Sequence, residues 1–176
     1  MAVYRTYTYI AADWSEDKDA VDKLKEWNDG NRWGLSFKDA HDLTQARDSS
    51  LNCSIKTSLK SRLEVSKTFI LIVGNNTKSL RSGGCQLCDS YNSYTKSCAR
   101  GYSVDYRSFI DYECDVACDT YKAGKMKIVV LYNAGSINKE KCPATLTDVG
   151  THEKMCYRKD GSLYWDYDAV KKAMGQ

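Results

Sequence analysis

The chain has 176 residues, with 26 Lys and Arg against 23 Asp and Glu, eight Cys, one Pro, and apolar and charged fractions of 42% and 28%. These are the proportions of an ordinary globular domain, able to bury about 70% of its unfolded surface without staples, and they exclude a disordered, collagenous or coiled-coil chain. The net charge of +3 is dispersed, and the longest apolar runs, 69–73 and 128–132, fall far short of the roughly 20 residues a membrane helix needs, so neither a nucleic-acid nor a membrane partner is expected.

Residues 4–11 alternate and are rich in Tyr and Thr, which predicts a first strand. No basic and apolar leader precedes it, so a cytoplasmic chain with reduced cysteines is expected. Ala20, Val21, Leu24 and Trp27 recur at helical spacing, with Ser15 placed to cap the start and Gly30 to stop the helix. Residues 35–37 read as a short second strand. A helix from about Ser50 then carries Leu51, Ile55, Leu59 and Leu63 in one stripe. Residues 68–73 form an apolar run ended by Gly74, which predicts a buried, central, parallel strand. Residues 75–106, rich in Ser, Tyr, Asn, Gly and Cys, have no period and read as an insertion. A helix over 107–122, a strand over 127–132, a weaker strand near Tyr157 and a last helix near 166–174 complete the order. The alternation predicts one domain, a three-layer α/β sandwich on a flavodoxin-like parallel sheet. Ligands of such sheets sit beyond the carboxyl ends of the strands, where residues 11–17, 39–42 and the segment after Gly74 should converge.

Glu113 breaks the pattern of its helix. At about 100° per residue it lies near 40° from Phe109, inside the arc of Phe109, Ile110, Cys114, Val116 and Ala117, whereas Asp111, Asp115 and Asp119 keep to the opposite side. A buried carboxylate is either paired with a cation or placed where its charge is used. Periodicity alone leaves both readings open.

Residues 9–24, Tyr-Ile-Ala-Ala-Asp-Trp-Ser-Glu-Asp onward, resemble the opening of bacterial TIR (Toll/interleukin receptor) domains, in which an aromatic-Ile-Ser-His strand end runs into Ser-Glu-Asp and the first helix. Residues 107–114, Arg-Ser-Phe-Ile-Asp-Tyr-Glu-Cys, resemble that family's Ser-x-Trp-x-x-x-Glu signature, and are closest to the TIR-like sensors of Thoeris anti-phage systems. The resemblance runs through most of residues 4–133, leaving out the insertion and the tail. It implies cleavage of the nicotinamide N-glycosidic bond of NAD, with no cofactor required, to make an ADP-ribose-derived signal for a companion effector, together with TIR–TIR self-association. Glu113 falls at the position of the catalytic glutamate, where a carboxylate beside the ribose hydroxyls stabilises the oxocarbenium-like transition state. Tyr9 and Trp14 are candidates for an aromatic wall around the substrate. Asp13, Asp39 and His41 are nearby polar candidates.

The sequence departs from the family at informative places. Ala11 and Ala12 stand where many members have Ser-His, Phe109 replaces Trp, and Arg107 takes the motif's Ser position. The missing hydroxyl favours an alternative reading, a non-catalytic TIR-like interaction module.

Cys85-x2-Cys88 followed by Cys98 has the spacing of a zinc knuckle, with Cys114 or Cys118 as candidate fourth ligand, and a structural zinc would order the polar insertion. Five basic residues against two acidic ones between Lys78 and Arg107, with Tyr91, Tyr94, Tyr102 and Tyr106 among them, suit contact with a dinucleotide or a protein partner. No Gly-x-Gly-x-x-Gly follows the first strand and no P-loop is present, which argues against a dehydrogenase or an NTPase. Gly74, rather than Asp, follows the third predicted strand, which counts against a phospho-receiver.

Overall fold

The computed structural model describes residues 6–30, 34–40 and 51–176. In chain order it places β1 (Tyr7–Ala11), α1 (Lys18–Asp29), α2 (Asn52–Glu64), β2 (Ser66–Val73), β3 (Tyr91–Asn92), β4 (Ser97–Cys98), α3 (Phe109–Lys122), β5 (Lys127–Tyr132), β6 (Thr151–Lys154), β7 (Cys156–Lys159), β8 (Ser162–Trp165) and α4 (Tyr167–Met174). Strands β1, β2, β5 and β6 form one four-stranded sheet in the order β1-β2-β5-β6, with every neighbouring pair parallel.

Strand alternation builds the two outer layers. On β2, Phe69, Leu71 and Val73 join Leu59 and Leu63 of α2 and Ile110, Cys114, Ala117 and Cys118 of α3 on one face. Ile70 and Ile72 join Ala20, Val21, Leu24 and Trp27 of α1 and Val170, Ala173 and Met174 of α4 on the other. Because β2 is buried on both faces, it reads as a continuous apolar run. The fold is the three-layer α/β sandwich that the element order implies.

Four local expectations change. The predicted strand over 35–37 is not formed. Its backbone groups are taken by side chains instead: Phe37 N–H donates to Asn28 Oδ1 at 2.7 Å, and Gln176 exchanges two hydrogen bonds of 2.8 Å with Ser36. Among the described residues, a single parallel bridge, Thr8 to Asp39, runs along the edge of β1 there. Ser15 does not cap α1, because its N–H and Oγ–H both donate to Asp13 Oδ1, at 3.1 and 2.7 Å, and the helix begins three residues later. The tail carries not one strand but three, since β6 completes the sheet and β7 pairs with β8 as an antiparallel hairpin. Its turn is Asp160-Gly161, both at positive φ (51° and 78°), the pairing that two-residue hairpin turns favour. The insertion is not wholly irregular either, as β3 and β4 form a minimal hairpin within it.

Candidate active site

The sequence of α3 sets the position of its carboxylate. Ser108 Oγ accepts from Asp111 N–H at 3.1 Å and donates to Asp111 Oδ2 at 2.8 Å, which caps the helix and starts it at Phe109. Glu113 then sits one turn in, buried together with Ile110, Cys114, Ala117 and Cys118. Gly83, at φ +102°, presses against the start of this helix. A Cβ there would lie 2.5 Å from Phe109 Cγ, and Phe109 N–H donates to Ser82 O at 2.8 Å, so the first residues of the insertion are fixed against α3.

A cavity of about 750 Å³ opens above Glu113. Its walls come from the β1–α1 loop (Ala12, Asp13, Trp14, Ser15), the apolar face of α2 (Ile55, Leu59, Arg62), the first turns of α3 (Phe109, Ile110, Glu113) and the start of the insertion (Leu80, Ser82). The size falls within the range of small-molecule and cofactor sites. It lies off the carboxyl end of β1, where parallel sheets bind ligands.

Tyr9 differs from its expected place. It is fully buried beneath the cavity, stacked on Phe69 at 5.8 Å between ring centroids, and its Oη donates to Glu113 Oε1. It is therefore a support for the carboxylate rather than a wall. Burial pushes the Glu113 carboxyl up to about 7, while the Tyr9 hydrogen bond and the positive charge of Arg62 pull in the other direction. Burial and the neighbouring Glu113 charge in turn hold the Tyr9 hydroxyl well above its ordinary range. No cation lies within ion-pair distance of Glu113 among the described residues, so the simple salt-bridge reading of this helix face is not what the geometry offers.

Of the other candidates, Ala12, Asp13, Trp14 and Phe109 line the cavity, and Ala11 is buried in the strand below. Asp13 is occupied in organising its own loop, accepting from Ser15 and from Glu16 N–H. Trp14 stays partly exposed, with Lys25 Nζ 5.3 Å from its ring centroid. Asp39 lines a neighbouring cavity instead, where its carboxylate lies 3.4 Å from Lys25 Nζ. Lys25 borders both cavities. His41 lies outside the described residues. Arg107 does not stand in for the motif's Ser; it forks onto Asp105 with bonds of 3.1 and 2.8 Å, reaches Asp115 at 2.8 Å, and lies over the Tyr112 ring.

Arg62 and Lys25 are the cavity's two cations, and sequence reasoning did not single them out. A signal for Arg62 was present: it follows Leu59 by three residues and so lies on the apolar face of α2, as Glu113 does on α3. Two charges that break the pattern of two different helices face one cavity.

The cysteines of the predicted knuckle do not meet Cys114 or Cys118, which belong to the core under α3. Cys85, Cys88 and Cys98 share a small void with Cys53 of α2. Among the described residues no three His, Cys, Asp or Glu side chains are already gathered into a metal-binding group. Nor is any helix among them long and apolar enough to cross a membrane.

Residues 6–82 match the family model of the Thoeris protein ThsB, TIR-like domain. The match covers the first strand, the β1–α1 loop, α2 and the central strand, and ends before Glu113. No curated protein matches the chain significantly. Among solved structures, a metazoan TIR-STING receptor from C. gigas, in complex with 2',3'-cGAMP, superposes over the whole chain with a TM-score of 0.50 at 12% identity. The chain spans 41% of that receptor's length, and at this identity the likeness speaks for the fold. Over residues 6–82 the chain is thus similar to the TIR-like domain of ThsB, and its α/β fold is like that of the TIR-STING receptor.

Proposed function

We propose that the cavity binds NAD and that Glu113 promotes cleavage of its nicotinamide N-glycosidic bond. The observation that carries this reading is the buried Glu113 carboxylate, held by Tyr9 at the floor of a cavity that also presents the aromatic rings of Trp14 and Phe109 and the cations Lys25 and Arg62. As the C–N bond breaks, its electron pair leaves with nicotinamide and positive charge builds on the ribose. The Glu113 carboxylate accepts hydrogen bonds from the ribose hydroxyls and stabilises that charge at close range in a water-poor site. Trp14 and Phe109 offer faces for the flat rings of the substrate, and Lys25 and Arg62 offer charge to its diphosphate. The ribosyl cation is then captured by water, or by another atom of the same ADP-ribose to give a cyclic product. The relation to ThsB supports a role for that product as a signal in antiviral defence, read by a companion effector, with assembly of several copies completing the site.

One observation favours a second reading, a TIR-like interaction module without turnover. Ala11 and Ala12 stand where many members have Ser-His, so the end of β1 offers the cavity neither a hydroxyl nor an imidazole. Both readings are tested by incubating the purified chain and Glu113→Gln with NAD, at low and at high protein concentration, and resolving the products by liquid chromatography and mass spectrometry. Nicotinamide release by the wild type alone establishes the enzyme, and the mass of the second product separates hydrolysis from cyclisation. NAD left intact by both proteins, even when concentrated, selects the interaction module.

A further inference from the structure

The insertion has almost no core of its own. Leu87, Tyr94, Tyr102 and Tyr106 are exposed, its strands are two residues each, and between residues 81 and 106 only Gly83, Gly84 and Cys85 are buried. A segment so poor in apolar burial needs a staple to hold one conformation. What it does have is four thiols around a single void. Cys53, from the first turn of α2, lines this void together with Cys85 and Cys88 of the CxxC turn and Cys98 of β4.

The void measures about 10 Å³, room for roughly one atom and not for an organic ligand. The backbone around it is shaped as a knuckle: Leu87 N–H donates to Gly84 O, Cys88 N–H to Cys85 O and Tyr91 N–H to Cys88 O, all at 2.9–3.0 Å, which turns both cysteines of the motif toward one side. Asp105 N–H donates to Cys85 Sγ at 3.2 Å, the kind of bond that orients and stabilises a ligating sulfur from outside the coordination sphere. Lys56, one turn beyond Cys53, is buried and donates to the carbonyl oxygens of Asp105 and Arg107, which ties the end of the insertion to α2.

We propose that Cys53, Cys85, Cys88 and Cys98 close on one zinc ion that ties the insertion to α2. No three of these sulfurs are yet at ligating spacing. Closing the site requires the four sulfurs to move toward one another across the void they line. On binding, the four thiols release four protons to water, and the zinc with its four thiolates carries two net negative charges. The site is structural, with all four positions filled by protein, and it lies outside the cavity over Glu113. The fourth ligand is Cys53, more than 30 residues upstream of the motif, and not Cys114 or Cys118.

The test is elemental analysis of the purified full-length chain, followed by removal of metal and titration with zinc chloride, and with cobalt chloride as a spectroscopic probe. The expected result is about one zinc per chain, a sulfur-to-cobalt charge-transfer band of tetrahedral thiolate type, and loss of both in Cys53→Ser and in Cys98→Ser. Cys118→Ser retains both, and Cys53→His recovers zinc because imidazole can replace a thiolate. Chelation should speed proteolytic cutting within 81–106 at least tenfold while leaving cutting elsewhere unchanged. Failure of the wild-type chain to take up zinc or cobalt after reconstitution overturns the proposal. So does zinc that survives Cys53→Ser but is lost in Cys118→Ser. Circular dichroism of each variant separates loss of the ion from loss of the fold, and the wild-type cobalt spectrum gives the number of thiolates: fewer than four overturns the proposal even if one variant fails to fold.

Discussion

Tyr9 Oη donates a hydrogen bond to Glu113 Oε1 across 104 residues of sequence, joining the edge strand to the helix that carries the out-of-pattern carboxylate. Both groups are buried, and the bond favours the ionised carboxylate against a burial effect that favours the neutral one. Removing the donor in Tyr9→Phe should therefore move the Glu113 carboxyl further above about 7. If ionised Glu113 is the working form, NAD cleavage by the wild type rises with pH through about 7 and then levels. In Tyr9→Phe this acid limb shifts to higher pH and kcat at pH 7 falls roughly tenfold, the scale of one hydrogen bond to a charged group. KM should change little, because Tyr9 lies beneath the cavity and touches no substrate. A pH–rate profile of both proteins decides it, and an unchanged limb would remove Tyr9 from the site's machinery.

The same burial makes a claim about stability that needs no substrate. Glu113 in the folded chain binds its proton more tightly than the ordinary carboxyl near 4.5. Between those two values the folded state carries more protons than the unfolded one, so this group's contribution is favourable at low pH and is lost as pH rises from about 4.5 through about 7. A rise of this size amounts to at most about 3 kcal/mol. Glu113→Gln keeps an acceptor for Tyr9 and has no charge to bury. Its thermal midpoint should exceed that of the wild type at pH 8, and the difference should shrink toward pH 5. Calorimetry at the two pH values tests this, and a difference of the same size at both would contradict the raised carboxyl.

The large elements were legible because their signals are strong and redundant. The 69–73 run of β2 is apolar throughout and bounded by Gly74; the α1 stripe repeats four times; and Glu113 announces itself by violating an otherwise regular helix. What escaped depends on distant partners. Leu35 to Phe37 has the look of a strand, but its hydrogen bonds go to Asn28 and to Gln176, which no local window contains. Tyr9 reads as one more aromatic of an alternating strand, and only the packing of α3 onto β1 turns its hydroxyl into a partner for Glu113. Arg62 and Asp160-Gly161 did leave local signals, a cation on an apolar helix face and a hairpin turn pair. Cys53 left none, since a single cysteine 32 residues before a CxxC has no meaning until α2 lies beside the insertion.

Lys56 is the hinge pin between the insertion and the body of the fold. It is almost completely buried, donates to Arg107 O at 2.7 Å and Asp105 O at 3.2 Å, and lies 3.5 Å from the Asp105 carboxylate. That carboxylate, forked by Arg107 and close to Lys56, is held down at about 2. Lys56→Met preserves the length of the stem but leaves two carbonyl oxygens and part of a carboxylate without their donor. The expected cost is about 2–4 kcal/mol, the range for breaking a buried charged network by removal of one member. Denaturant titration gives the number, and faster proteolysis near Asp105 would show where the loss is felt.

Gly74 ends β2 against the carboxylate of Asp17, which a Cβ at that position would meet at 2.1–2.4 Å. The side chain of Asp17 cannot retreat freely. Its Oδ1 accepts from Asn133 Nδ2 at 3.0 Å, its Oδ2 is buried without a hydrogen-bond partner among the described residues, and burial raises its carboxyl above the ordinary range. Gly74→Ala alone should therefore cost about 1–3 kcal/mol, the usual penalty for forcing extra volume into a packed site. In the background of Asp17→Ala the opposing carboxylate is gone, and the same substitution should cost well under 1 kcal/mol, so the two changes are strongly non-additive. A double-mutant cycle measured by chemical denaturation reads the coupling directly. Simple additivity would mean that the strain at Gly74 lies in the backbone and not in its contact with Asp17.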